Sequence, residues 1–112
     1  MFAFYRKLVL PAFCAAGIAL AFGAPNSAFA KDWTVTISNF AFTPAETDVA
    51  AGDTVTFVNG DDTIHSAVAD DGSFHSDGLD TNDKASFTFA KAGTIGYHCG
   101  LHPFMKGKIV VK

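Results

Sequence analysis

The chain has 112 residues, eight Lys or Arg against eleven Asp or Glu, and a formal net charge of −3. Two of the basic residues, Arg6 and Lys7, lie within the first thirty positions and none of the acids does, so residues 31–112 carry six positive against eleven negative charges, a net −5. That balance excludes nucleic acid as a partner, because phosphate binding needs a basic face.

The first thirty residues read as an export leader. Arg6 and Lys7 form a short positive head, Leu8 to Phe22 is apolar, and Ala28-Phe29-Ala30 supplies the small residues a signal peptidase requires. The apolar run is interrupted by Pro11 and Gly17 and falls short of the ~20 residues a spanning helix needs. Cleavage is therefore expected after Ala30, with residues 1–30 removed, no membrane span in the mature chain, and the protein in the periplasm. Cys14 follows Phe13 in the middle of the apolar run, which does not fit a lipid-attachment site.

Removing 30 of the 112 residues leaves 82, enough for one domain over residues 31–112. A chain of that size buries only about 60% of its surface or a little more, so its core is marginal. Small exported domains usually add disulfides or a metal. Only Cys99 remains beyond the leader, so no intramolecular disulfide can form and a metal is the remaining staple.

From Trp33 onward the hydrophobic period is two, the signature of strands with one buried face. In "WTVTIS" Trp33, Val35 and Ile37 alternate with Thr34, Thr36 and Ser38. "TVTFVN" puts Val55 and Phe57 on one face, "ASFTFA" does so with Phe87 and Phe89, and "TIGYHC" with Ile95, Tyr97 and Cys99. "KGKIVVK" closes the chain as a last strand. Turn signals separate these runs at Ala51-Gly52-Asp53, Asn59-Gly60-Asp61-Asp62, Asp70-Asp71-Gly72, Asp77-Gly78 and Lys91-Ala92-Gly93. The polar stretch 69–83 reads as a long connection holding at most one short strand. Five or more short strands with regular turns imply an all-β antiparallel sandwich or barrel.

The chemistry concentrates in "GYHCGLHPFMKGKIVV", residues 96–111. Alternation turns Cys99 inward, and the short loop Gly100–Met105 brings His102 and Met105 toward the same point. Cysteine, histidine and methionine are the soft and borderline donors that copper prefers, whereas zinc more often recruits four strong ligands. A mononuclear blue-copper centre needs a second histidine from elsewhere. His65, flanked by Ile64, Ala67 and Val68 beside a predicted strand, is the better candidate; His75, in "DDGSFHSDG", reads as solvated.

"VNGDDTIHS" followed by "GYHCGLHPFMKGKIVV" resembles the two ligand segments of the cupredoxins, the small blue-copper proteins. The likeness runs over essentially all of residues 31–112. The spacing C-x2-H-x2-M is similar to the amicyanin branch, whose ligand loop is the shortest; plastocyanin and pseudoazurin have longer ones. The resemblance implies an eight-stranded Greek-key sandwich, one type 1 copper ion held by His65, Cys99, His102 and Met105, and one-electron transfer rather than enzymatic turnover. It also implies a monomer with transient redox partners, a dehydrogenase and a c-type cytochrome, and an apolar collar around His102 drawn from Leu101, Pro103, Phe104, and Phe42 or Pro44. The family often has asparagine after the upstream histidine, tying the ligand loops together; this chain has Ser66.

Other readings have a place beside this one. A copper carrier without a redox role would show more exposed Met and His than a chain with one methionine beyond its leader. A cysteine enzyme using Cys99 and His102 would need an orienting group and substrate access. His98 alternates outward, toward the surface. Trp33, Phe57, Phe87, Phe89 and Tyr97 read as core, and the pairs Asp61-Asp62 and Asp70-Asp71 as solvated turns.

Overall fold

The computed structural model describes residues 30–112. The expected leader lies, but for Ala30, outside the described residues. Within them the chain forms eight strands: β1 (Asp32–Ser38), β2 (Ala41–Thr43), β3 (Glu46–Val49), β4 (Thr54–Asn59), β5 (Val68–Ala69), β6 (Lys84–Thr88), β7 (Gly93–His98) and β8 (Lys106–Val111). They build two four-stranded sheets, ordered β2-β1-β4-β6 and β3-β8-β7-β5.

Period-two alternation drives the packing. Val35 and Ile37 of β1 and Val55 and Phe57 of β4 point inward and are fully buried, as are Tyr97 beside β7's end and Ile109 of β8. Phe42 of β2 enters the same core, its ring edge-on to Tyr97 at 4.8 Å. Phe57, Phe74 and Phe87 complete an aromatic cluster between the sheets. Offset and edge-to-face aromatic contacts of this kind add to the plain burial of apolar area.

The sandwich is the expected all-β one, with one difference in its pairing. β1 with β4 and β3 with β8 are parallel ladders, while the other four are antiparallel. The cause is the path of the chain, which crosses from one sheet to the other after β2, after β3, after β4, after β5 and after β6. A strand that returns after a crossover is free to run parallel to its neighbour, which a tight hairpin forbids.

All five strands read from periodicity are present. β2, β3 and β5 are not among them, because two to four residues are too few to display a period. The stretch 69–83 carries the end of β5 and otherwise pairs through isolated bridges, His65 with Leu79 and Val68 with His75.

β1 and β2 are joined by a two-residue turn, Asn39-Phe40, with both residues at positive φ (53° and 58°). Such a turn matches the twist of a hairpin. Asparagine tolerates that region, but phenylalanine does so poorly. Asp61 offsets the strain by accepting both turn amides, from Asn39 at 2.7 Å and Phe40 at 3.0 Å. Phe40 is thereby presented at the end of the sandwich where the ligand loops meet.

Candidate metal centre

Cys99 follows β7 directly and is fully buried. Its amide donates to the Met105 carbonyl (3.1 Å), and the Met105 amide donates to the His102 carbonyl (2.9 Å). These two bonds close residues 99–105 into a compact loop at the mouth of the β7–β8 hairpin, so the spacing of the three residues is fixed by backbone geometry. Met105 is 2% exposed and packs with the core, whereas His102 is half-buried.

His65 comes from the connection after β4. Its amide and carbonyl pair with those of Leu79 (3.1 and 2.7 Å), fixing its position on a short bridge. The turn before it is organised by Asn59, whose buried side chain donates to the carbonyls of Thr63 and Leu79 and accepts the Asp61 amide. A buried amide with these partners satisfied makes the turn rigid.

The His65 ring uses its two nitrogens differently. Nε2 lies 2.8 Å from Asp61 Oδ2, and Nδ1 faces Cys99 Sγ at 3.8 Å. A carboxylate accepts and does not donate when ionised, so Nε2 carries the proton and Nδ1 keeps a free lone pair. The Phe40 amide, foremost, and the Asn39 amide hold the Asp61 carboxyl below its usual range against the opposing effect of burial. Asp61 stays ionised across the neutral range.

Ser66 joins the two ligand segments. Its amide donates to Cys99 Sγ at 3.4 Å, and its hydroxyl accepts the Gly100 amide at 2.9 Å. Serine thus provides the link between loops that asparagine often gives in the family.

The donor atoms of His65, Cys99 and His102 all lie within 4.8 Å of one another. Cys99 Sγ is 3.8 Å from His65 Nδ1 and 3.6 Å from His102 Nδ1. First-row divalent ions bind sulfur at about 2.3 Å and imidazole nitrogen at about 2.0–2.1 Å; at 110–120° such donors stand about 3.6–3.8 Å apart. The separations are too long for strong hydrogen bonds and the right size for two ligands of one ion. The donor set and its spacing fit a bound metal ion.

An apolar rim surrounds the half-buried His102. The Phe40 ring stands edge-on to both His65 and His102, with centroids 5.0 Å away in each case, and stacks at 6.4 Å on Phe104. Leu101 and Phe104 are 53% and 69% exposed. Phe42, expected in this collar, is instead 3% exposed in the core. Phe40 takes the surface position, since alternation along the β2 hairpin sends Phe42 inward.

The other sequence candidates are placed as follows. His75 is exposed and outside the cluster. His98 points outward and is half-buried, with Nδ1 bonded to Asp70 Oδ1 at 2.6 Å. Asp61, read as a solvated turn residue, is a buried-site partner of His65, and its side chain is only 14% exposed. Asn59, Phe40 and Asp61 were missed as site residues; the one signal for Asp61 was its i to i+4 spacing from His65.

The fold and the site define a class. The family model for the cupredoxin-like domain matches residues 12–111, beginning inside the expected leader, and the chain belongs to that family of blue-copper proteins. Within it the chain is amicyanin-like: it is 35% identical over 83 residues to amicyanin of Paracoccus denitrificans, a match covering 70% of this chain and 63% of that relative's length. The solved structure of a Cu(I) amicyanin variant superposes with a TM-score of 0.68 at 34% identity, over 72% of this chain and 82% of that one. A purple cupredoxin from Nitrosopumilus maritimus does so with a TM-score of 0.68 at 26% identity, over 72% of this chain and 100% of its own.

Proposed function

We propose that the protein is a periplasmic electron carrier whose His65, Cys99, His102 and Met105 hold a single type 1 copper ion. The convergence of Sγ and two Nδ1 atoms at 3.6 and 3.8 Å carries this reading. When bound, copper supplies a one-electron couple in a ligand geometry that suits both of its oxidation states. The chain's own contribution is rigidity. Asp61 fixes the His65 ring, Ser66 ties the loops, and the Cys99–Met105 bond closes the hairpin, so the ligands need little rearrangement between states.

Burial distinguishes electron transfer from copper delivery. His65 and Cys99 are fully buried, and handing a metal to an acceptor requires ligands the acceptor can reach. His102 is the ligand nearest solvent, and its rim of Phe40, Leu101 and Phe104 is a small apolar patch suited to brief encounters. The partners are redox proteins, a dehydrogenase and a c-type cytochrome, met by a monomer. No helix among the described residues is long and apolar enough to cross a membrane. No substrate pocket or catalytic acid and base enters this reading, and the protein is not an enzyme.

The test is the colour of the Cu(II) form. The protein of residues 31–112 should bind one equivalent, turn intensely blue through thiolate-to-copper charge transfer, and bleach reversibly on reduction. His65→Ala should abolish or strongly alter the band while His75→Ala leaves it intact. A colourless Cu(II) adduct would overturn the electron-carrier reading, and exchanged outcomes for the two histidines would overturn the ligand set.

A further inference from the structure

Asp53 is a buried carboxylate at the end of β1 opposite the metal centre, about 20 Å away along the six rises from Asp32 to Ser38. It is 2% exposed, in the turn that the sequence marks at Ala51-Gly52-Asp53. Oδ2 accepts Trp33 Nε1 and the Ala50 amide, both at 2.9 Å, and Oδ1 accepts the Lys31 amide nitrogen, also at 2.9 Å. No cation is bonded to this carboxylate among the described residues; the Lys31 side chain instead lies over the Trp33 ring at 5.7 Å. The three donors favour the ionised carboxylate, and a full positive charge on one of them would strengthen that bond further.

That charge is one bond cleavage away. Lys31 is the residue that follows the Ala28-Phe29-Ala30 motif, and Ala30 is exposed. We propose that Asp53 is the seat of the processed N-terminus: hydrolysis of the Ala30–Lys31 bond turns the nitrogen already bonded to Asp53 into an α-ammonium, and the two form a buried ion pair. Water adds across the amide: hydroxyl goes to the Ala30 carbonyl carbon, protons go to the Lys31 nitrogen, and the products at neutral pH are a carboxylate and an ammonium. The enzyme class required is a signal peptidase selective for small residues.

The Lys31 backbone is held for this role on both sides of its nitrogen. Its carbonyl accepts the Thr54 amide at 2.9 Å, which starts the parallel β1–β4 ladder, and Asp53 precedes Thr54 in the chain. Processing therefore strengthens the first contact of the sheet. Four charged side chains line the seat: Asp53 itself, Lys31, and Asp48 and Lys112, which pair with each other at 3.9 Å; Asp32, next in the chain, is exposed.

The pairing has a sign. An α-amino group titrates near 7.7 in an unfolded chain, and a carboxylate partner raises that value in the folded one. The stabilisation is complete below about pH 7.7 and disappears as pH rises through the folded value. The proposal rests on the export reading, and the first measurement separates the two. Mass determination of the exported protein should show a chain beginning at Lys31; an uncleaved chain would overturn both, and cleavage at another bond would overturn the seat at Asp53 with the export reading intact. Copper-loaded chains beginning at Lys31 and at Ala30 are then melted between pH 6 and pH 11. The Ala30 chain keeps the amide donor but moves the charge one residue away. The Lys31 chain should melt higher at pH 6, with the gap closing at high pH; no gap, or one independent of pH, would overturn the ion pair with the export reading intact. Asp53→Asn should remove the gap. Should that variant fail to fold, carbamylation of the Lys31 α-amine should lower the melting temperature to that of the Ala30 chain, and an unchanged value would count against the proposal.

Discussion

Ser66 and Cys99 stand 33 residues apart in sequence, yet the Ser66 amide donates to the Cys99 sulfur across 3.4 Å. The same serine accepts the amide of Gly100, the next residue after that cysteine. One residue thus holds both ligand loops, through its backbone toward the sulfur and through its hydroxyl toward the chain. Replacing it by alanine keeps the first bond and removes the second. Ser66→Ala should cost about 0.5–1.5 kcal/mol in denaturant unfolding, the usual net value of one hydrogen bond. Ser66→Thr, which retains a hydroxyl, should recover most of it. An alanine variant as stable as the parent would show that the loops do not need the link.

Asp61 places a negative charge on the outer nitrogen of His65. In the copper-bound protein that charge favours the more positive oxidation state. Asp61→Asn keeps an oxygen acceptor for the ring but loses the charge, so the reduction potential should rise. A rise on the order of 60 mV corresponds to a tenfold change in the relative stability of the two states. Voltammetry of the folded variant checks this, and an unmoved potential would show that the carboxylate only orients the ring.

Tyr97 offers a test in the core. Its ring is fully buried, its hydroxyl has no hydrogen-bond partner among the described residues, and burial pushes the phenol up, so it stays protonated. Tyr97→Phe should be neutral or stabilising, because it removes a buried polar atom that pairs with nothing. Gly107 faces this ring across the β7–β8 ladder, and a methyl there would fall on the phenol. Gly107→Ala should therefore destabilise by about 1–3 kcal/mol. Urea unfolding with an unchanged slope would confirm that both effects act on the native state.

Asp53 predicts the acid limb of stability. The Lys31 amide first, then Trp33 and the Ala50 amide, hold its carboxyl below the usual range. A lowered folded-state value gives stability that is present above about pH 3.9, the unfolded value, and lost as pH falls through the lower folded one. Melting temperatures between pH 2 and pH 6 should fall along that limb for the parent chain. Asp53→Asn should be less stable at pH 6 and flatter below pH 4, and parallel curves for the two chains would refute the assignment.

The residue types and spacing around Cys99 were enough to propose three ligands, and period-two alternation was enough to find five strands and most of the core. Both kinds of information are local. A strand face repeats every two residues, and a loop of five residues between Cys99 and Met105 leaves its ends little room to separate. Phe42 shows the limit, since a residue assigned to a collar by proximity in sequence is turned into the core by the hairpin that contains it.

What the tertiary structure alone decided are the contacts between distant segments. His65 was the preferred partner on its flanking residues, but only the bridge to Leu79 and the buried Asn59 place its Nδ1 opposite the sulfur. Asp61 and Asp53 look alike in sequence, acids in polar turns, and their burial follows from which backbone amides the folded chain aims at them. The reason is physical: a carboxylate is buried where several donors converge, and donors from β1, its hairpin and the turn after β3 converge only once the sheets have packed. The kind of chemistry was written in local pattern; which residues surround it, and which carboxylates serve it, depended on the packing of the two sheets.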